Sequence, residues 1–158
     1  MSRNINVQVH GVDKMVYAVV RVRGNINVRK TIKDTLKMLR LNKVNHCAII
    51  PETNELKGML KKAKDYITWG EVDLESLNLV LTNRGKLVGD LPITDKYIKS
   101  NSKFKSISNF ADEIINGKAK LTDLKDIKPV IRLHPPRKGY EGIKRPFKMN
   151  GAFLIEGR

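Results

Sequence analysis

Residues 15–40 hold the feature that most constrains the fold, because an alternating apolar run, a glycine and a helical repeat follow one another there. The run from Met15 to Val22 is rich in β-branched and aromatic residues and is broken by Gly24, which predicts a strand and then a turn. Apolar residues next recur at intervals of four, four and three, the spacing of one helix face; they are Val28, Ile32, Leu36 and Leu39. This order predicts a helix packed on a sheet.

Alternation along this strand predicts which side chains share a face. One face is apolar and the other carries two arginines: Val16, Ala18, Val20 and Val22 on the first, Tyr17, Val19, Arg21 and Arg23 on the second. We expect the helices to cover the valine face, which leaves the face with the arginines open. A stripe of cations lies about 100° round the helix from its apolar face; its members are Arg29, Lys33, Lys37 and Arg40.

The net charge narrows the choice of partner. The chain has 158 residues, with 31 Lys and Arg against 16 Asp and Glu, so its formal charge is +15. A magnitude of roughly 2–8 suits a small soluble domain. The larger excess indicates a polyanionic partner, most commonly nucleic acid. The alternative is a basic protein that is merely soluble.

The sequence also indicates the compartment. A single cysteine, Cys47, excludes an internal disulfide and is typical of a reducing environment. No run approaches the roughly 18 apolar residues that cross a bilayer. The first fourteen residues lack the apolar stretch of a secretion signal. We therefore expect a soluble cytoplasmic protein with no membrane partner.

The rest of the core repeats the opening pattern. Val44–Ile50 predicts a second strand, which Pro51 ends. A second helix follows, with Thr53 or Asn54 as its cap, and Tyr66–Glu71 predicts a third strand. A strand-helix-strand-helix-strand order predicts an α+β fold with two helices on one face of a sheet.

Composition divides the chain into four parts: a tail at 1–14, the core at 15–71, a helical extension at 72–128, and a strand with a basic loop at 129–158. Lys and Arg number ten against eight Asp and Glu in the extension, but seven against two in the last part. The tail is an edge strand around residues 5–9, a loose tail, or a leader translated upstream of a start at Met15.

The extension is predicted to hold helices at 73–83, around 95–100 and at 107–116, the last one stopped by Gly117, with a turn at 121–126. A strand at 129–133 is expected after them. Beyond it, closely spaced Pro and Gly residues predict an extended or looped segment. Because this basic loop has few apolar residues, we expect its order to come from a partner.

Four stretches carry a resemblance to a known family: VRVRGNINVRKTIKDTLKMLRLNKVNHCAIIPET, GMLKKAKDYITWGEV, NRGKLVGD and RLHPPRKGYEGIKRPFKMNGAF. On these residues, which span Met15 to Phe153, the chain resembles the archaeal branch of the large-subunit ribosomal protein L-thirty family. Relatives of that kind commonly begin near Met15, so a contact by residues 1–14 has no family support.

The resemblance implies a ferredoxin-like core and a structural role in the large ribosomal subunit. It implies binding to large-subunit rRNA and 5S rRNA, with other ribosomal proteins as neighbours. It implies no catalysis, no cofactor, no metal and no small-molecule substrate.

We predict rRNA contacts in four groups of residues. They are the turn and helix start at Arg21, Arg23, Asn25, Arg29, Lys30 and Lys33; the second helix at Lys57 and Lys61; the NRGK turn at Arg84 and Lys86; and the C-terminal arm at His134, Arg137, Lys138, Tyr140, Lys144, Arg145 and Lys148. Helix starts and arginines favour phosphates, and the aromatic ring of Tyr140 is suited to stacking on an unpaired base. The alternative for each cation is a solvated surface charge.

Two other functions stay open on the residues alone. One is an RNA chaperone or processing factor that acts outside the ribosome. The other is an acylphosphatase-like enzyme, because the turn around Gly24 faintly resembles the phosphate-cradling loop of those enzymes. The His46-Cys47 pair has no partner with metal-ligand spacing, which favours packing over chemistry.

Overall fold

A computed structural model describes residues 15–141, 143 and 153–154 of the chain. The strands are β1 Val16–Arg21, β2 His46–Pro51, β3 Ile67–Glu71, β4 Ile131–Arg132, β5 Tyr140–Glu141 and β6 Phe153–Leu154. The helices are α1 Lys30–Met38, α2 Asn54–Ala63, α3 Leu74–Arg84, α4 Asp95–Asn101 and α5 Ile107–Ile115, with a short 3₁₀ turn at Leu121–Asp123. The predicted tail at residues 1–14 lies outside the described residues.

Strands β1 to β4 form one antiparallel sheet in the order β3-β1-β2-β4. Val19 on β1 lies opposite Ala48 on β2 and Trp69 on β3. Strand β4 extends the sheet beyond β2, where Ile131 lies opposite Cys47. The α+β class and the strand-helix-strand-helix-strand order are therefore confirmed.

Both faces of the sheet are covered, so the expectation of one open face is wrong. Helices α1 and α2 pack on the face of β1 that carries Val19, together with Leu36 and Leu60. The opposite face carries Val16 and packs against α3, α4 and α5. The alternation was ambiguous because β1 is apolar on both faces, and a strand buried on both sides gives no sign of which layer covers which face.

Helix boundaries follow the local chemistry of their end residues. The Thr53 hydroxyl accepts a hydrogen bond from the Leu56 N–H at 3.2 Å, and the Ser106 hydroxyl caps α5 in the same way. Helix α5 ends where Gly117, with φ of +68°, enters the left-handed region. The cap at Thr53 and the stop at Gly117 are both as predicted.

The C-terminal segment contains one short pair of strands. The Pro- and Gly-rich stretch is not wholly irregular, because Tyr140–Glu141 pairs in antiparallel fashion with Phe153–Leu154. Gly139, with φ of +74°, makes the turn just before β5. The aromatic residues Tyr140 and Phe153 suit a strand. Part of the order of this segment therefore arises within the chain itself.

Candidate nucleic-acid interface

A buried arginine braces the turn that follows β1. Arg21 is only 1% exposed, yet all five of its N–H groups have acceptors. Nε donates to the Arg23 carbonyl at 2.8 Å. Nη1 donates to the carbonyls of Leu41 at 2.7 Å and Asn42 at 3.0 Å. Nη2 donates to the Gly24 carbonyl at 3.0 Å and to Asn25 Oδ1 at 2.5 Å. One guanidinium thus holds the Gly24 turn against the loop after α1.

This placement corrects the expectation that Arg21 lies on an open face. The side chain points into the protein because the neighbouring loops turn their carbonyl oxygens inward and a guanidinium satisfies them. Burial lowers the pKa of Arg21 from its ordinary value, although the group remains charged at any physiological pH. With every donor engaged, Arg21 positions the turn and offers no free N–H to a ligand.

The polar side chains beyond the brace are exposed. Arg29, Lys30 and Lys33 face solvent at the start of α1, and Asn25, whose Oδ1 belongs to the brace, is exposed as well. Ile26 at the tip of the turn is 88% exposed. The N-cap residue of α1, Arg29, forms no side-chain cap. This end of the sheet therefore presents a helix start flanked by cations, the kind of surface that favours an anion.

The base of the C-terminal arm lies at the same end of the sheet. The half-buried Arg23 donates from Nε to the Ile143 carbonyl at 2.5 Å. The Tyr140 hydroxyl donates to Asn45 Oδ1 at 2.8 Å. His134, Arg137 and Lys138 are exposed between these anchors and β4, whereas Lys144, Arg145 and Lys148 lie outside the described residues. Tyr140 is half-buried, and burial raises the pKa of its phenol.

The NRGK turn is joined to the β4 side of the molecule. Arg84 is half-buried at the end of α3, and Lys86 is exposed. The Lys86 carbonyl accepts from the Lys128 N–H at 2.9 Å, and the Lys128 ammonium pairs with Asp90 at 2.6 Å. The Lys128 hydrogen bond and charge lower the pKa of the Asp90 carboxyl, with smaller effects from Lys86 and Arg132. A cluster of cations thus lies between the turn and β4.

The two residues of α2 that were predicted to contact rRNA have different surroundings. Lys57 forms an ion pair with Glu52, and Glu52 also accepts a hydrogen bond from the Tyr17 hydroxyl at 3.2 Å. This pair raises the pKa of Lys57 and lowers that of Glu52. It lies beside the start of β1, away from the Gly24 turn that follows the strand's end. Lys61 is exposed in the last turn of α2 and forms no ion pair with any residue that the structure describes.

Sequence reasoning missed Asn45, which links the core to the arm. Its backbone has φ of +63°, a conformation that asparagine tolerates better than most residues. Besides the bond from Tyr140, its carbonyl accepts from the Leu133 N–H at 2.9 Å, and its own N–H donates to the Arg21 carbonyl at 2.8 Å. The sequence placed Asn45 inside the predicted strand at Val44–Ile50, whereas β2 begins at His46, and the partners of Asn45 are distant in sequence.

The His46-Cys47 pair belongs to the packing of β2. Cys47 is 3% exposed, and its neighbours include the apolar side chains under α3 and α5. Within the described ranges, no group of three or more His, Cys, Asp or Glu side chains is placed to hold a metal ion. No helix in that part of the chain is long and apolar enough to cross a membrane.

The Cys47 thiol is expected to be inert in the folded protein. Burial raises its pKa to about 12, so at pH 8 the reactive thiolate is scarce as well as inaccessible. Reaction with a disulfide reagent, followed by absorbance, should be slow in buffer and fast in denaturant. Equal rates in both conditions would contradict the burial of this strand.

The fold is that of a small α+β protein, and exposed cations flank the Gly24 end of its antiparallel sheet. A family model described as Ribosomal protein L30p/L7e matches residues 17–67. The chain is 51% identical over 142 residues to the "Large ribosomal subunit protein uL30" of Methanocorpusculum labreanum, covering 90% of this chain and 93% of the relative. The protein of the same name from Methanoregula boonei is 54% identical over 143 residues, with the same coverage. The one from Methanoculleus marisnigri is 49% identical over 142 residues, again covering 90% and 93%.

The chain therefore belongs to the ribosomal protein L30p/L7e family. The resemblance noted from the sequence is confirmed, including its archaeal character, since these relatives are archaeal. The family is one of structural proteins, which removes the acylphosphatase-like alternative.

Proposed function

We propose that this protein is a structural component of the large ribosomal subunit, in the cytoplasm, and that it binds rRNA through the cationic end of its sheet. Membership of the family and the names of its relatives support the location. The observation that carries the binding surface is the convergence of two basic segments. Arg23 and Asn45 tie the base of the C-terminal arm to the Gly24 turn, although the arm lies far along the chain.

The mechanism is electrostatic scaffolding. Arg29, Lys30 and Lys33 neutralise phosphates at the start of α1, while Arg137 and Lys138 do so along the arm. Because the Arg21 brace fixes the turn before RNA arrives, little ordering remains to oppose binding at that point. The rigid core then sets the register of the arm on the RNA.

The proposed partners are large-subunit rRNA, 5S rRNA and neighbouring ribosomal proteins. Contact with the 5S rRNA rests on family resemblance. Of the predicted contacts, we retain the exposed polar residues at the start of α1 and on the arm, with Lys61, Arg84 and Lys86 beside them. Lys57, which already pairs with Glu52, has the weakest case for a phosphate.

Salt dependence of binding tests this function. Replacing Arg137, Lys138, Lys144 and Arg145 together with alanine is expected to weaken binding to an rRNA transcript and to flatten its dependence on salt. Each lost phosphate contact should reduce the slope of log affinity against log salt by about 0.7–0.9. Titrations over a range of salt concentrations measure both effects.

A matched control removes the same charge elsewhere. The exposed residues Lys96, Lys99, Lys103 and Lys105 lie on and after α4, in the helical extension. Their replacement by alanine should change the slope much less. If both quadruple variants lowered the slope equally, net charge rather than the arm would govern binding, and the proposed surface would be wrong.

The alternative of an RNA chaperone outside the ribosome predicts a different distribution in the cell. A structural component co-sediments with large subunits in quantity and stays with them in high salt. A transient factor washes off. Sedimentation of a lysate, followed by immunodetection of the protein, separates the two.

A further inference from the structure

A small cleft at the β4 edge of the sheet carries cations that belong to none of the sequence-predicted groups. It is lined on one side by residues 43–46 and on the other by Arg132 and Leu133. Strand pairing creates it, because His46 lies opposite Arg132 and the Leu133 N–H donates to the Asn45 carbonyl. The cleft therefore joins segments that are almost ninety residues apart in the chain.

The cleft is positively charged. Lys43 and Arg132 are both exposed, and within residues 15–141 neither forms an ion pair. Asp90, the pKa of which Arg132 helps to lower, already forms an ion pair with Lys128. Burial lowers the pKa of His46, and the charges of Arg132, Lys43 and Arg21 lower it further, while a backbone hydrogen bond at Arg40 acts in the opposite direction.

One polar atom beside this cleft lacks a hydrogen-bond partner among the described residues. His46 Nδ1 is buried and has no hydrogen-bond partner in the described part of the chain. Buried polar atoms without a partner are rare and call for an explanation such as a ligand or an ordered water. The two unpaired cations and the unsatisfied ring nitrogen thus occur together.

The position of the cleft relates it to the proposed interface. Asn45 in its wall accepts the hydrogen bond from Tyr140 at the base of the arm. On the other side, Arg132 acts on Asp90 and so lies near the cations Lys86 and Lys128 behind the NRGK turn. The cleft thus lies between the Gly24 end of the sheet and the NRGK turn, two predicted contact regions that the sequence alone does not connect.

We propose that this cleft is an additional rRNA-binding site, in which Lys43 and Arg132 hold one backbone phosphate between them. The proposal rests on the proposed function and extends it, because it makes the Gly24 end, the cleft and the NRGK turn one continuous path for a sugar–phosphate chain. Arg132 supplies a planar fork suited to phosphate oxygens, and Lys43 a point charge.

The test is a double-mutant cycle on rRNA binding. Lys43→Ala and Arg132→Ala should each lower affinity for a large-subunit rRNA transcript, by about tenfold for a charge-assisted contact. Because both side chains hold the same phosphate, the double variant should bind little worse than the weaker single variant, and its salt slope should fall by about 0.7–0.9 in total. Arg132→Lys should restore part of the loss.

Lys105→Ala is the matched control, since it removes one exposed cation from the helical extension and should bind like the wild type. Urea unfolding of all variants should be unchanged, because both cleft cations are exposed. Strictly additive losses, with a slope change of twice the single value, would mean two separate phosphates and would overturn the clamp. Wild-type affinity in both single variants would overturn the site itself.

The arm variant separates this result from a failure of the proposed function. If the arm variant loses affinity while the cleft variants bind as the wild type does, the cleft proposal alone is wrong. If the wild-type protein shows no steep salt dependence, the proposed function fails and the cleft proposal fails with it.

Discussion

Replacement of Arg21 by alanine is expected to lower the free energy of unfolding by about 3–5 kcal/mol. The change removes five charge-assisted hydrogen bonds, most of them to backbone carbonyls in two different loops. Carbonyls on the exposed turn regain water, but that of Leu41, a residue with no exposed surface, does not. Urea denaturation measures the loss.

Two further variants make this expectation specific. Arg21→Lys keeps the positive charge but has one nitrogen, which cannot reach both loops, so it should recover only a minor part of the stability. Arg29→Ala removes an exposed arginine from the next turn of chain and should stay within about 0.5 kcal/mol of the wild type. An Arg21→Ala protein as stable as the wild type would show that the brace does not hold the turn.

Phe110→Ala is expected to cost about 3–5 kcal/mol, the usual range for an aromatic residue lost from a core. Phe110 is 1% exposed, and its ring centroid lies 4.8 Å from that of Phe104. The same apolar cluster includes Val16 from β1 and Cys47 from β2. A cavity in the helical extension should therefore weaken the sheet as well.

Two spectroscopic probes test that coupling. Trp69 fluorescence reports on β3 and the cluster under α1 and α2, whereas circular dichroism reports on all helices. We expect both signals to move together to lower denaturant in Phe110→Ala. Leu79→Ala, at a side chain that is 63% exposed on α3, is the control and should have little effect. Separate transitions would instead show that residues 72–128 unfold independently of the sheet.

Local features of the fold could be read from the sequence because their causes are local. The Thr53 cap and the Gly117 stop depend on residues within one helical turn of each other. The choice of sheet face could not be read in this way. It depends on the helical extension, which arrives later in the chain and covers a strand that is apolar on both sides.

The same distinction between local causes and distant partners applies to the residues of the candidate site. Exposed cations such as Lys30 and Arg137 could be predicted, because charged residues stay at the surface unless partners are built for them. Arg21 is the exception, since its acceptors come from loops up to 21 residues away. Arg132 was missed because only the pairing of β4 with β2 brings it next to Lys43. Strand pairing over such separations leaves no periodic pattern in the sequence.

The left-handed backbone of Asn45 has a consequence for how this chain tolerates change. The Asn45 side chain accepts a hydrogen bond from the Tyr140 hydroxyl. The Asn45 backbone lies directly before β2, and its carbonyl accepts a hydrogen bond from the Leu133 N–H, directly after β4. Most replacements would strain the peptide and release the tyrosine together, without disturbing either apolar layer. The C-terminal arm would then lose one of its two ties to a core that remains folded, the other being the Arg23 bond to the Ile143 carbonyl. A substitution at Asn45 would therefore weaken the anchoring of the arm and leave the stability of the core unchanged.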